Sequence, residues 1–163
     1  MGKKPKRSIF ISYQHKDQMT AKGFNLLKYA PNVPVEFVGR HLLDPVDSTN
    51  KAYIDSKIKE QIKGTSVTVV LIGNDTHKST YQPKEIEWSL DKDHPNGIIG
   101  IRLDGSDPLP KGCKVARMLR DAGAEIIDWD VGKFGAAIER AATAARRASS
   151  IRRGPAGGSQ CIR

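Results

Sequence analysis

Short apolar runs alternate along this chain with longer segments of helical character, and the alternation predicts an α/β domain. Five runs rich in β-branched residues predict strands, at residues 8–13, 35–39, 66–73, 97–103 and 125–129. The segments between them predict helices at residues 19–29, 83–90, 115–122 and 136–147. A further helix, with Ser48 as its cap and Gly64 at its end, carries Ile54, Ile58 and Ile62 on one face.

The apolar run at residues 66–73 is the clearest element, because its nearly continuous β-branched character is typical of a central parallel strand buried on both faces. Strands that alternate with helices predict a parallel sheet with helices on both faces. Five strands fit the flavodoxin-like order 2-1-3-4-5, in which ligands bind outside the carboxyl ends of the first and third strands. Residues 13–17 and 73–85 would line that crevice.

The chain has 163 residues, which suits one domain, and its excess charge of +9 is concentrated near the two ends. We expect a basic segment at residues 1–7, a folded domain at 8–148 and a loosely ordered basic tail at 149–163. The excess comes from four cations before residue 8 and five after residue 145, so the span between them is formally neutral. This distribution and the lack of a binding motif argue against specific nucleic-acid recognition.

Other features of the sequence narrow the cellular setting. No apolar run approaches the roughly 20 residues that span a bilayer, and the basic start lacks the apolar core of a secretory signal. Cys113 and Cys161 are far apart and have neither metal-ligand spacing nor the pattern of a disulfide framework. We therefore expect a cytoplasmic protein without a membrane partner or a metal site.

Two polar loops next to the predicted crevice carry the residues with candidate chemistry. Glu85 follows Pro83, a favoured first helical residue, so we expect the helix dipole to keep its carboxylate ionised. Glu85 could instead be the third residue of a capping box, although Gln82 is a mediocre cap. Ser12 and Asp17 could serve as strand-end and helix-capping residues, and His15 and His77 could be surface histidines without a role.

The same two loops carry a resemblance to a known family. Residues 10–13, Phe-Ile-Ser-Tyr, followed by Asp17, resemble the opening box of TIR domains. Residues 65–73 followed by Thr76, Ser79, Tyr81, Glu85 and Ile86 resemble the TIR-like branch that includes the NAD-consuming proteins of Thoeris antiphage defence. The similarity continues through residues 97–101 and covers roughly residues 8–130.

The resemblance implies an NAD glycohydrolase or cyclase that uses NAD as its substrate and needs no separate cofactor. It implies that Glu85 is the catalytic carboxylate and that seven loop residues contact NAD, namely Ser12, Tyr13, His15, Asp17, His77, Ser79 and Tyr81. Asp44 lies in a loop that corresponds in position to the mobile loop covering the TIR pocket, where it could make closure contacts. One carboxylate suffices, because nicotinamide departs as a neutral base and needs no acid.

The family resemblance also implies partners, and two positions of this chain differ from the family pattern. The product would signal to a separate effector protein, a phage-derived cue would activate the enzyme, and TIR surfaces would self-associate.

Tyr81 stands where the family usually has tryptophan, and Gln14 stands where many TIR enzymes carry arginine. These two positions leave the shape of the pocket and the mode of phosphate binding open. The chain has no glycine-rich dinucleotide fingerprint, so we do not expect it to use NAD as a hydride carrier.

Two other functions are compatible with the sequence. The first is a TIR-like interaction module that pairs with other TIR domains and has no catalytic activity. The second is an enzyme similar to the nucleoside deoxyribosyltransferases, in which the glutamate is a covalent nucleophile. Nicotinamide release by concentrated protein, compared with Glu85→Gln, separates the first from an NADase, and trapping of a glycosyl-enzyme would indicate the second.

Overall fold

A computed structural model of the chain describes residues 7–14, 17, 20, 37–40 and 50–152. Nine principal elements lie in these ranges, and they alternate between strand and helix after the second strand. They are β1 (Arg7–Ser12), β2 (Phe37–Arg40), α1 (Lys51–Lys63), β3 (Val67–Ile72), α2 (Tyr81–Leu90), β4 (Gly97–Arg102), α3 (Lys114–Asp121), β5 (Glu125–Asp128) and α4 (Val131–Arg152). A 3-10 turn, Thr76–Lys78, connects β3 to α2. Apart from residue 20, the predicted helix at residues 19–29 lies outside the described residues.

The five described strands form one sheet in the order β2-β1-β3-β4-β5, and every neighbouring pair is parallel. The prediction of an α/β domain with a parallel sheet is therefore confirmed. β1 and β3 are neighbours, with Ser12 opposite Val70 in the register. Because β2 lies on the other side of β1, the connections from β1 and β3 lead in opposite directions along the sheet. Their carboxyl ends thus form the topological switch point where ligands of such sheets bind.

Alternating strand residues bury the two faces of the sheet against different helices. Side chains of β1, β3 and β4 at odd positions, including Ile11, Val69 and Ile99, pack against Phe134 and Ile138 of α4. On the opposite face, Val70 and Ile72 pack against Ile86 of α2 and Leu119 of α3, and Phe10 packs against Ile58 and Ile62 of α1. Both faces of β3 are covered, as its continuous apolar run predicts, and all six of its residues are buried.

Several helix boundaries differ from the prediction, and α4 begins at Val131 rather than at residue 136. Asn50 caps α1, since its Oδ1 accepts from the backbone N–H groups of Ala52 and Tyr53 at 3.0 and 3.3 Å, whereas Ser48 lies outside the described residues. α2 begins at Tyr81 rather than Pro83. α4 continues to Arg152, past the predicted domain boundary at residue 148, in keeping with the high helix propensity of its alanines and arginines. None of the helices in the described ranges has the length and apolar character needed to cross a bilayer.

Gly97 lies where the backbone of α4 crosses the start of β4. A Cβ atom at this position would collide with the backbone carbonyl group of Ala141, and a backbone neighbour cannot rotate away as a side-chain tip can. We expect Gly97→Ala to lower the free energy of unfolding by about 1–3 kcal/mol, the usual cost of overpacking. Gly112→Ala is the control, because no heavy atom lies within 4 Å of a Cβ built there. Urea unfolding of both variants measures the difference, and equal stabilities would contradict this packing.

Candidate active site

Glu85 is the fifth residue of α2, and its side chain reaches the carboxyl end of β1. The residue is 8% exposed, and its Oε1 atom accepts a 2.8 Å hydrogen bond from the Ser12 hydroxyl. Ser12 is fully buried and is the last residue of β1. The structure therefore places this carboxyl at the end of the strand that borders the predicted crevice.

Gln82, one turn before Glu85, connects the ends of the two central strands. Its fully buried amide donates from Nε2 to the Ser12 carbonyl at 3.3 Å and to the Leu71 carbonyl at 3.0 Å. Its Oε1 is buried with no hydrogen-bond partner among the described residues. From the sequence, Gln82 was expected to be at most a helix cap, although its i, i+3 spacing from Glu85 places both side chains on one helical face. This residue holds the β1 and β3 ends together beneath the carboxyl group.

The carboxyl group of Glu85 is mostly neutral, in contrast to the expectation that the helix dipole would keep it ionised. Burial raises the pKa of Glu85 from 4.5 to about 8, and the Ser12 hydrogen bond opposes the increase only in part. The prediction was wrong because α2 begins at Tyr81, which moves Glu85 beyond the first turn where the dipole acts. The same boundary excludes the capping-box alternative, since Glu85 is not the third helical residue. In the ligand-free protein the carboxyl group is therefore mostly protonated at pH 7.

Tyr81 lies one turn from Glu85 on the same side of α2 and forms a partly buried aromatic wall. Burial raises the pKa of the Tyr81 hydroxyl, with further contributions from the carboxylate of Asp55 and then from that of Glu85. The Tyr81 ring packs on the cluster that contains Phe10, and the Lys84 ammonium lies 5.1 Å from its centre. The position where the family usually has tryptophan therefore still supplies an aromatic ring beside the carboxyl group.

The connections that follow β1 and β3 meet at Asp17 and Gly73. A Cβ atom on Gly73 would lie 2.5 Å from Oδ2 of Asp17, so only glycine leaves room for that carboxylate. This oxygen is buried and has no hydrogen-bond partner among the described residues. Burial raises the pKa of Asp17, and the negative charge of Asp75 raises it further. Asp17 thus presents a poorly solvated acceptor at the carboxyl edge of the sheet.

The structure places the other residues that were predicted to contact NAD in different parts of the fold. Ser79 helps to start α2, because its Oγ atom accepts from the Gln82 N–H at 3.1 Å. His77 is exposed on the 3-10 turn. Tyr13 packs against the core on the α4 face, so it is not brought to the face that carries Glu85. His15 and Asp44 lie outside the described residues. The structure therefore gathers Ser12, Tyr81 and Glu85, with Asp17 at the adjoining loop.

A buried polar network fixes the backbone of α2 behind Glu85. The Ser89 hydroxyl donates to the Glu85 carbonyl oxygen at 2.7 Å and lies 2.6 Å from the Thr68 hydroxyl of β3. Asn96 donates to Thr68 at 3.0 Å, and the Lys92 ammonium donates to Asn96. Because Thr68, Ser89 and Asn96 are buried, these bonds are shielded from water and tie the helix to the strand. This network has no local motif and could not be predicted from the sequence, because its members are distant along the chain.

The volume of a cavity does not identify the candidate active site in this protein. A cavity of about 1370 Å³ lies at the amino edge of the sheet, where Ser8, Ser66 and Pro95 line it. Glu85 lies near the opposite edge. We place the site by its perturbed carboxyl group and its strand-end position, since buried titratable groups mark functional sites more directly than volume does. The described residues contain no cluster of three or more side chains suited to a metal ion.

A family profile described as "Thoeris protein ThsB, TIR-like domain" matches residues 10–108, which include Ser12, Gln82 and Glu85. The chain belongs to this TIR-like family. No curated protein sequence matches it. The matched span of the TIR-like domain ends before α3, so the profile covers the sheet through β4 and both loops of the candidate site.

Two solved structures show remote similarity to this TIR-like domain. One is a diflavin flavoprotein A3 from Nostoc sp., with 11% identity and a TM-score of 0.48, covering 91% of this chain and 100% of that chain. The other comprises the TIR domains of the activated Roq1 resistosome that recognises the pathogen effector XopQ. It has 12% identity and a TM-score of 0.44, covering 95% of this chain and 93% of that chain.

The raised pKa of Glu85 predicts how stability depends on pH. The folded state holds the proton more tightly than the unfolded state, so this stabilisation is complete below pH 4.5 and is lost as pH rises through about 8. Relative to Glu85→Gln, we expect the free energy of unfolding of the parent to fall by about 3 kcal/mol between pH 5 and pH 7.5. Urea titrations at both pH values measure this. Parallel pH dependence of the two proteins would contradict the assigned burial.

Proposed function

We propose that this TIR-like domain cleaves the bond between nicotinamide and ribose in NAD, with Glu85 as the catalytic carboxylate. The observation that carries the proposal is the buried Glu85 carboxyl group at the carboxyl end of β1, held by the Ser12 hydroxyl. Tyr81 flanks this carboxyl group, and the profile of the TIR-like family matches the part of the chain that contains these residues. Asp17 lies on the adjoining loop, and NAD is a substrate for which one carboxylate beside the ribose suffices.

The chemistry follows from the charge of the substrate. Nicotinamide is attached to ribose as a cationic pyridinium and leaves as a neutral base, so the bonding electrons move to the ring nitrogen without a proton donor. The ribose carbon develops oxocarbenium character, which an adjacent carboxylate stabilises. Addition of water at that carbon, with loss of its proton, gives ADP-ribose. Attack by a nitrogen of the adenine of the same molecule gives a cyclic isomer.

The raised pKa of Glu85 makes its ionisation dependent on the substrate. In the free protein, the carboxyl group is buried and mostly neutral, which avoids the cost of an unpaired buried charge. A pyridinium bound beside it favours the anion and lowers the pKa, because opposite charges stabilise each other in a poorly solvated site. Binding of NAD would therefore release the proton and produce the carboxylate that the reaction uses. The Ser12 hydroxyl holds one oxygen throughout.

Asp17 is the best-supported additional contact for the substrate. Its buried Oδ2 atom has no protein donor among the described residues, and the loop that carries it adjoins Gly73. We propose that this oxygen accepts from a ribose hydroxyl or from the nicotinamide carboxamide. Such a bond would remove the penalty of an unsatisfied buried acceptor when the ligand binds. His15, Asp44, His77 and Ser79 remain predictions from the family resemblance, whereas Tyr13 packs on the α4 face.

The biological proposal follows the family. The nucleotide product would act as a signal in antiphage defence and would reach a separate effector protein. A phage-derived cue would switch the enzyme on, and self-association through TIR surfaces would support activity. The half-buried Cys113 is a free thiol, in agreement with the cytoplasmic location that we propose.

Nicotinamide release tests the proposed function. Concentrated protein is incubated with NAD, and the products are identified by mass spectrometry. We expect Glu85→Gln to lower kcat/KM by at least about a hundredfold, the typical effect of removing a group that stabilises transition-state charge. Glu87→Gln is the matched control on the same helix, because that side chain is exposed.

Two outcomes would contradict the NADase. Equal nicotinamide release by the parent and Glu85→Gln would remove the catalytic role of the carboxylate. Absence of release from concentrated parent protein would favour the non-catalytic interaction module. A covalent glycosyl-enzyme trapped on Glu85 with a nucleoside would instead indicate the deoxyribosyltransferase-like reaction.

A further inference from the structure

Buried side-chain oxygens without a hydrogen-bond donor are concentrated near Glu85. Within the part of the chain that the structure describes, such atoms belong to Ser8, Asp17, Asp55 and Gln82. Ser8 lies near the start of β1, at the opposite edge of the sheet, whereas the other three atoms are carboxylate or amide oxygens. A buried acceptor without a donor costs free energy, which a ligand with N–H or O–H groups can recover. The site therefore suits a ligand that donates several hydrogen bonds.

Asp55 reaches this site from α1, which packs beside α2 on one face of the sheet. Both helices begin at the carboxyl edge, because each leads to a parallel strand that starts at the amino edge. Asp55 and Glu85 are each the fifth residue of their helix, so they lie at a similar depth behind that edge. Ile54, the neighbour of Asp55, packs with the Tyr81 ring on the cluster that contains Phe10.

Tyr81 connects the two carboxyl groups. Its hydroxyl donates a hydrogen bond to the Asp55 side chain, and the charge of Glu85 acts on the same hydroxyl. Because Oδ1 of Asp55 has no partner among the described residues, the bond from Tyr81 uses the other carboxylate oxygen. Asp55 is partly exposed, so its carboxylate borders the site rather than lying beneath it. Its Oδ1 atom thus remains an acceptor beside the aromatic wall.

The negative charge of Asp55 has no ion-pair partner in the described ranges. Lys51 and Lys59 lie one turn before and one turn after it on α1. The Lys84 ammonium lies over the Tyr81 ring, 5.1 Å from its centre. None of these three ammonium groups forms an ion pair with Asp55. An anionic group placed beside Asp55 would therefore meet a carboxylate that the neighbouring lysines do not neutralise.

We propose that Asp55 determines which pyridine base the site accepts, because its Oδ1 atom accepts from the carboxamide N–H of nicotinamide when NAD is bound. The proposal rests on the proposed NADase function and adds the orientation of the base, with its ring at Tyr81 and its carboxamide toward α1. A nicotinic acid base has a carboxylate in place of the carboxamide. That group cannot donate and is repelled by Asp55, so the site selects the amide and rejects the acid.

The test compares NAD with its nicotinic acid analogue, which differs only in the carboxamide. Asp55→Asn keeps the shape of the side chain, removes its charge and adds an N–H group that can donate to a carboxylate. We expect this variant to lower the ratio of kcat/KM for NAD to kcat/KM for the acid analogue by at least about tenfold. Glu60→Gln, which removes an exposed carboxylate from the same helix, is the control and should keep the parental ratio. An unchanged ratio in Asp55→Asn would overturn the proposal.

Tyr81→Phe separates a contact with the base from a role in holding Tyr81. This variant removes the hydrogen bond to Asp55 and leaves the Asp55 carboxylate in place. We expect Tyr81→Phe to change kcat/KM for both substrates together and to keep their ratio. A ratio that falls equally in Tyr81→Phe and Asp55→Asn would show that Asp55 acts only through Tyr81, which overturns the direct contact.

Binding of the N-methylnicotinamide cation gives a readout that does not need catalysis. This probe retains the pyridinium and the carboxamide but has no bond to ribose, and N-methylnicotinate is its carboxylate counterpart. In NMR titrations, the parent should bind the amide more tightly than the acid, and Asp55→Asn should lose this preference. Equal affinities in the parent, or absence of binding of the amide, would overturn the assignment of Asp55.

The two proposals can fail separately in these experiments. If the parent releases no nicotinamide from NAD, the NADase proposal fails, and the titration with N-methylnicotinamide still decides whether Asp55 recognises a carboxamide. If nicotinamide is released but the substrate ratio is insensitive to Asp55→Asn, only the proposal for Asp55 fails.

Discussion

The hydrogen bond from the Ser12 hydroxyl to the Glu85 carboxyl group is the interaction on which this site depends. It joins a helix to the end of the first strand at the switch point of the sheet, and it satisfies one oxygen of an acid that is 8% exposed. One neutral donor is too little to offset burial, so the pKa of Glu85 rises to about 8. In the proposed reaction, the cationic substrate would convert this uncharged acid into an anion.

The surrounding structure keeps this acid in one place. Gln82 ties the ends of β1 and β3 together, while Ser89 and Thr68 hold the backbone of Glu85 against the central strand. These contacts lie on α2 or directly beneath it, so they hold Glu85 in a fixed position relative to the central strands. For the proposed reaction, a group held this way would need little reorganisation as charge develops on the ribose, which is the condition for strong electrostatic stabilisation.

Much of the fold could be predicted from local patterns, and the properties of the site could not. The β-branched run around Val69 and the spacing of Ile54, Ile58 and Ile62 specify a strand and a helix because burial follows periodicity. Glu85 was found through its motif. Its pKa was mispredicted because desolvation depends on the tertiary packing of α2 on β1. The roles of Gln82 and Ser89 depend on partners distant in sequence, which no local pattern reveals.

The central claim concerns the charge of one carboxyl group, and a carbon NMR titration of Glu85 tests it most directly. Its carboxyl signal is assigned by comparison with Glu85→Gln and followed across pH in the free protein and with an uncleavable NAD analogue that retains the pyridinium. We expect a pKa of about 8 in the free protein. We also expect a decrease of at least about one unit when the cationic ligand is bound. A pKa near 4.5 in the free protein, or no change on saturation with the analogue, would contradict the role proposed for Glu85.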